Sequence, residues 1–248
     1  MQAPYLSRIL MQRALPKASY LAGIPAVQYL QKAGELAFPV PVTFFVGENG
    51  TGKSTLLEAI AVACGFNPEG GSKNFTFSTR KSHSELHDCL TPCRVHRERD
   101  GFFLRAESFY NVATNIEQLD EEPAFSPPLI GGYGGVPLHE QSHGESFLAL
   151  VQNRFGGQGL YLLDEPEAAL SPARQLTLLA EIHQLVQKGS QFIIATHSPM
   201  LMAFPGACIW QFTEEGLGQV PYEETEHYQL MRRFLENPGR YLQYLLEE

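Results

Sequence analysis

The apolar positions of this chain change period several times, and each change marks an element. YLSRIL (5–10), AVQYL (26–30) and VTFFV (42–46) are short apolar or alternating runs separated by Pro and Gly, so residues 1–46 read as β-rich. VTFFV is nearly continuous, as expected of a strand buried on both faces. After the polar stretch GENGTGKS, TLLEAIAVA (55–63) has helical apolar spacing and stops at Cys64-Gly65, a C-cap signal. Residues 66–82 are loop-like. RVHRE (94–98) and FFLRAE (102–107) flank Asp100-Gly101, which predicts a hairpin. FYNVATNIEQL (109–119) is weakly helical, and the prolines and glycines of 121–140 predict an irregular excursion.

Beyond residue 140 the pattern is cleaner. FLALVQNRF (147–155) is a helix ending at Gly156-Gly157, and LYLLDE (160–165) is a buried strand. ARQLTLLAEIHQLVQK (173–188) is an amphipathic helix, started by Ser171-Pro172 and ended by Gly189. QFIIAT (191–196) is another buried strand, CIWQF and QVPYE flank a Gly-containing turn, and the C-terminus is helical with a break near Asn237-Pro238. Strands alternating with helices predict an α/β fold, a mainly parallel sheet flanked by helices, with an N-terminal antiparallel β part.

Composition narrows the class. With 248 residues and 44% hydrophobic content the chain can bury a substantial core. The net charge of -9 makes it a poor non-specific nucleic-acid binder, because that affinity comes from Lys and Arg neutralising phosphates. A local basic stretch (Arg80, Lys81, Arg94, Arg97, Arg99 and Arg105) leaves a salt-dependent nucleic-acid contact open. No apolar run approaches bilayer length and no signal peptide is evident, so the expectation is a soluble, cytoplasmic protein without membrane insertion. Four cysteines do not suggest a disulfide scaffold. His83, His87, Cys89, Cys93 and His96 form a dense set of potential metal ligands, but no second ligand pair follows, and they read as loop and strand residues.

The chemistry begins at Gly47-Glu48-Asn49-Gly50-Thr51-Gly52-Lys53-Ser54-Thr55, which fits G-x-x-x-x-G-K-[ST] between a predicted strand and a predicted helix. Glycines let backbone N–H groups turn towards a β-phosphate, and the helix N-terminus adds partial positive charge. Lys53 is expected to reach the β- and γ-phosphates, and the Ser54 hydroxyl to bind Mg²⁺. ATP is favoured over GTP, since no Asn-Lys-x-Asp guanine reader is present. The strand LYLLDE ends in two acids, and buried strands do not carry adjacent acids without partners. Asp164 is the candidate Mg²⁺ ligand, and Glu165 the candidate base for water attacking the γ-phosphate. His197 follows QFIIAT in the same way and is a candidate γ-phosphate contact. In SHGES (142–146), Ser142 and Glu145 have capping-box spacing before an apolar run.

GENGTGKST, SHGES, LYLLDEPEAALSP and ATHSP stand in the order and spacing of ABC-type ATPases, which the chain resembles over nearly its whole length. The resemblance implies a P-loop NTPase of ABC-ATPase type, one domain over 1–248 with an inserted subdomain and loops over about 66–140. It also implies a homodimer on ATP binding, joined head to tail with two ATP molecules between the subunits. One subunit supplies the phosphate loop, Asp164, Glu165 and His197; the other supplies a signature segment resembling Ser142-His143-Gly144-Glu145. His143 and Glu145 depart from the transporter pattern, and Ala168-Ala169-Leu170-Ser171 lacks the terminal Asp of the loop that crosses the interface. DEPE and THSP look more like RecF, SMC and OLD ATPases, yet only 54–141 separate Lys53 from Ser142, too little for a long coiled coil. FFLRAES puts Glu107 near the place of the Mg²⁺-sensing glutamine. The function expected is ATP hydrolysis in nucleic-acid maintenance or defence. The alternatives are an energising or regulatory subunit for another protein, including a transporter, and a slow nucleotide switch.

Overall fold

The computed structural model describes residues 4–16, 19–73, 84–105, 114, 131, 135 and 142–246. In chain order the strands are β1 (Leu6–Met11), β2 (Glu35–Ala37), β3 (Val42–Gly47), β4 (Leu90–Arg94), β5 (Asp100–Arg105), β6 (Gly159–Asp164), β7 (Gln191–Ala195), β8 (Cys208–Thr213) and β9 (Gly216–Gln219). The helices are α1 (Pro25–Ala33), α2 (Lys53–Ala63), α3 (His143–Arg154), α4 (Pro172–Gln187), α5 (Pro199–Met202), α6 (Glu226–Glu236) and α7 (Pro238–Leu246). The main sheet has the order β5-β6-β7-β3-β8-β9, parallel throughout except for the antiparallel edge strand β9. A second, antiparallel sheet has the order β2-β1-β4.

The period of two within each central strand divides the core. Phe45, Leu160, Leu162, Ile193 and Ala195 face a cluster shared with α1, α2 and the small sheet. Phe44, Val46, Tyr161, Leu163, Phe192 and Ile194 face one shared with α3, α4 and α5. Burial of each large side chain contributes about 1.5–3 kcal/mol, so the parallel strands are pinned from both sides. The small sheet is clipped to the large one by Gln191, whose amide accepts from Leu6 N at 2.9 Å and donates to Leu6 O at 2.8 Å.

Three sequence expectations change. AVQYL lies in α1, not in a strand: Pro25 occupies the first turn, and Ala26, Val27 and Leu30 are buried at helical spacing. A five-residue apolar window cannot separate the two periods. Asp100-Gly101 opens β5 instead of turning a hairpin, and β4 and β5 belong to different sheets. The Asp100 carboxylate is committed there, accepting from Arg154 Nη1 (2.8 Å), Tyr161 Oη (2.7 Å) and Gly156 N (3.1 Å). A Cβ at Gly101 would stand 2.8 Å from Phe66 Cζ and 3.0 Å from Leu160 O. Finally, β9 begins at Gly216, ahead of QVPYE, and residues 222–224 form a 3-10 turn. The expectations for 74–83 and 106–113, and most of those for 115–141, lie outside the described residues.

The parallel register sets up the site. Arg105 pairs with Asp164, Asp164 with Ala195, and Gly47 with Phe212, so the C-terminal ends of five strands align along one edge of the sheet. Ligands of open α/β sheets bind at such an edge.

Candidate nucleotide site

The loop between β3 and α2 is shaped by glycines at positive φ. Gly47 (φ 140°) lets β3 approach β8 so closely that a Cβ would lie 2.2 Å from Phe212 O. Gly52 (φ 98°) is the N-cap of α2, and a Cβ there would lie 2.3 Å from Ile24 Cγ2. Thr51 Oγ1 donates to Glu48 O at 2.8 Å, closing the turn. Lys53 is buried, and its ammonium donates to Gly47 O (2.7 Å) and Glu48 O (2.9 Å). Burial lowers its pKa, against the opposing pull of Glu165, Asp164 and Glu48. Glu48, Asn49 and Gly50 are exposed on the loop, and Ser54 and Thr55 stand half-buried in the first turn of α2.

Asp164 meets this helix start from β6: Ser54 Oγ donates to its Oδ1 at 2.8 Å. A hydroxyl and a carboxylate are hard oxygen donors, the chemistry Mg²⁺ takes. Arg105, ending β5, stands on the other side, its Nε 3.7 Å from Asp164 Oδ2 and its Nη1 2.6 Å from Glu58 Oε2 on α2. Sequence reasoning put Arg105 in the basic patch with Arg94, Arg97 and Arg99. The strand carries it to the opposite end of β5, about 20 Å from Arg99 at 3.3 Å per residue. Its place beside Asp164 was missed, because register with β6 is not visible in a single strand.

Glu165 follows β6 in a left-handed conformation (φ 50°, ψ 51°), with its N donating to Ala195 O at 2.9 Å. Its half-exposed carboxylate lies 3.7 Å from His197 Nε2. A second acid missed from sequence, Glu167, ties this turn to the end of β7, accepting from Thr196 Oγ1 (2.7 Å) and His197 N (2.5 Å). Burial raises the Glu167 pKa, partly offset by these two donors. The His197 ring meets a residue from far along the chain: its Nδ1 is 3.1 Å from His227 Nε2, at the start of α6. Burial lowers both imidazole pKa values, with the Lys53 charge acting in the same direction.

Ser142 caps α3. Glu145 Oε2 accepts from Ser142 N (3.1 Å) and Ser142 Oγ (2.6 Å), the carboxylate arm of the expected capping box. The Ser142 hydroxyl is thus engaged within its own chain. Arg174 of α4 donates to it at 3.2 Å and to Glu145 Oε1 at 2.9 Å. Those Ser142 bonds, and then Arg174, hold the Glu145 carboxyl below its usual range. Gly144 lies under Arg174, where a Cβ would be 2.6 Å from Nη1 and 2.8 Å from Ala169 O. Among the described residues the hydrogen bonds of Ser142 go to Glu145, Ser146 and Arg174, and none reaches the 47–54 loop.

Glu107, the candidate Mg²⁺ sensor, lies outside the described residues, as does His83. Of the remaining His/Cys set, His87 and Cys89 fall in a 3-10 turn and Cys93 on β4. Among the described residues no group of three or more His, Cys, Asp or Glu side chains is arranged to hold a metal ion. No helix among them is long and apolar enough to cross a membrane.

Two family models match, one described as "AAA domain" over residues 27–115 and one as "AAA domain, putative AbiEii toxin, Type IV TA system" over 129–203. An ABC transporter G family member, STR2 of Medicago truncatula, is 26% identical over 171 residues, covering 64% of this chain and 24% of its own length. The cobalt import ATP-binding protein CbiO of Salmonella typhimurium is 27% identical over 169 residues, covering 63% of this chain and 62% of its own. The chain thus matches less than two thirds of the length of either. The structure of cbiO1 from Clostridium perfringens superposes with a TM-score of 0.50 at 15% identity, covering 98% of this chain and 99% of that one, which is a likeness of fold. The phosphate loop, the acid-tipped strand and the histidine strand lie side by side on that fold, and the two AAA-domain matches together with the ABC ATP-binding relatives support an ABC-type P-loop ATPase.

Proposed function

We propose that this protein binds ATP with Mg²⁺ at the 47–54 loop, hydrolyses it, and is held by the nucleotide as a head-to-tail homodimer. The observation that carries this reading is the 2.8 Å contact between Ser54 and Asp164 at the N-terminus of α2, beside the buried Lys53. The N–H groups of residues 50–54 and the Lys53 ammonium would bind the phosphates, and Ser54 with Asp164 would hold Mg²⁺. The cation supplies neutralisation of charge on the phosphate oxygens. Glu165 takes a proton from the attacking water, and His197 Nε2 contacts the γ-phosphate. The missing group is a donor on the far side of that phosphate. Among the described residues Ser142 makes no hydrogen bond to the loop of its own chain, and a second copy would bring its helix N-terminus there. Phosphate release from ATP and Mg²⁺ by the purified protein, compared with Lys53→Ala, tests the reading. Equal rates, or no turnover and no ATP binding by the unaltered protein, would overturn it.

For the process, the reading favoured is nucleic-acid maintenance or defence. Its support is a cavity of about 430 Å³ lined by Lys73, Arg94, Arg97, Arg99 and Arg154, with Glu98 and Asp100 as the acids. Glu98 pairs with Lys73 and Arg94, and Asp100 with Arg154, leaving a cationic surplus on an acidic protein. The alternative, an energising subunit for another protein, is supported by the names of CbiO and of a cytochrome c biogenesis ATP-binding export protein, CcmA of Bartonella henselae, 27% identical over 174 residues. Hydrolysis stimulated by DNA at low salt, and lost in Arg97→Glu/Arg99→Glu, supports the first. Unstimulated hydrolysis, with co-purification of a membrane protein, supports the second.

A further inference from the structure

We propose that His227, in the first turn of helix α6, is a positioning residue that fixes the tautomer of His197 and so presents an Nε2–H to the hydrolysis site. The inference rests on the reading of His197 as a γ-phosphate contact, and it assigns a role to an element that reading leaves unused. A neutral imidazole has one donor and one acceptor nitrogen, so the 3.1 Å contact between His197 Nδ1 and His227 Nε2 admits two arrangements. In one, His227 Nε2–H donates to Nδ1 and His197 carries its proton on Nε2. In the other, His197 Nδ1–H donates to His227 and a bare Nε2 lone pair faces the Glu165 carboxylate at 3.7 Å.

The charges around the ring choose between them. His197 Nε2 is shut off from solvent and has no hydrogen-bond partner among the described residues. The Glu165 carboxylate lies 3.7 Å from it, with Glu48 also acting on the ring and the Lys53 charge opposing both. A lone pair aimed at a carboxylate is repelled, whereas an N–H is attracted, so the first arrangement wins. It is also the arrangement with a proton to give to a phosphate oxygen. Burial, with the Lys53 charge, lowers both imidazole pKa values and so favours the neutral rings, against Glu48, Glu165 and Glu226.

The geometry around His227 is built to hold it. Thr225, fully buried, caps α6 by accepting from Tyr228 N at 3.3 Å, and Gln211 Oε1 of β8 accepts from Glu226 N at 3.3 Å. His227 is therefore anchored to the neighbour of the phosphate-loop strand, and Glu167 fixes the His197 backbone from the other side. A ring held at both ends is what a directed N–H needs.

The tautomer can be read directly. In protein with ¹⁵N-labelled histidine at neutral pH, the His197 ring, assigned with His197→Gln, should show its proton on Nε2. His227→Ala should mix the two tautomers and lower kcat about three- to tenfold with ATP affinity unchanged, a modest part of the usual contribution of a positioned proton donor. His227→Gln, whose amide can still donate to Nδ1, should restore the tautomer and most of kcat. A proton on Nδ1 of His197 in the unaltered protein, which needs no variant to fold, would overturn the proposal. So would an unchanged tautomer in His227→Ala, or no rescue by Gln. If the protein neither bound nor hydrolysed ATP, the function reading would fail while the spectrum still decided the role of His227.

Discussion

Glu165→Gln separates binding from chemistry. The backbone of residue 165 is held by its N–H to Ala195 O at 2.9 Å, and the side chain is half-exposed, so the amide keeps position and size without burying an unpaired group. What it loses is the ability to accept a proton from water. A general base contributes about 10²–10⁴ in rate, which at 1.36 kcal/mol per decade is roughly 3–5 kcal/mol of barrier. ATP affinity should hold or improve, because Lys53, Ser54 and Asp164 remain and one negative charge leaves the phosphates' surroundings. Steady-state phosphate release gives the rate, and size-exclusion chromatography with and without ATP gives the assembly. The trapped nucleotide should hold two copies together. Adding Ser142→Arg sets a second cation beside Arg174, which is 3.2 Å from the serine hydroxyl, and blocks the approach of a phosphate. The lost cap costs about 1 kcal/mol, too little to unfold the chain. That double variant should bind ATP and stay monomeric. A Glu165→Gln rate within tenfold of the parent would refute the base assignment, and dimerisation of the double variant would reduce SHGES to a helix cap.

Lys53→Ala should abolish ATP binding measured by nucleotide fluorescence, since the loop loses its buried point charge. Gly52→Ala should destabilise the fold by about 2–4 kcal/mol, combining left-handed strain with the 2.3 Å overlap on Ile24, and Ile24→Ala in the same chain should recover part of the lost melting temperature. Arg174→Ala, which removes an exposed ion pair, should leave thermal stability within about 0.5 kcal/mol while altering ATP-dependent dimerisation, because Ser142 and Glu145 lose their shared partner; a fall in stability with unchanged assembly would show that the contact only braces α3 against α4.

Local order along the chain was enough to find the strand–loop–helix at 42–63, the acid pair after 160–163 and the histidine after 191–196. Each is a short apolar run with its polar chemistry directly attached, and neighbours in sequence stay neighbours in space. The capping box at Ser142 and Glu145 was legible for the same reason. What the sequence could not supply was the meeting of distant segments. Arg105 reaches Asp164 only because β5 lies in parallel register beside β6, and that pairing turned a presumed patch residue into a neighbour of the candidate nucleotide site. AVQYL became a helix because packing on Gly52 and the core outweighed a run too short to carry a period of its own. Arg174 occupies the Ser142 hydroxyl from a helix 32 residues downstream, and His227 reaches His197 across 30. Such contacts depend on how elements pack, and packing is decided by the whole buried surface at once, so the side chains that complete the site appear only in the tertiary structure.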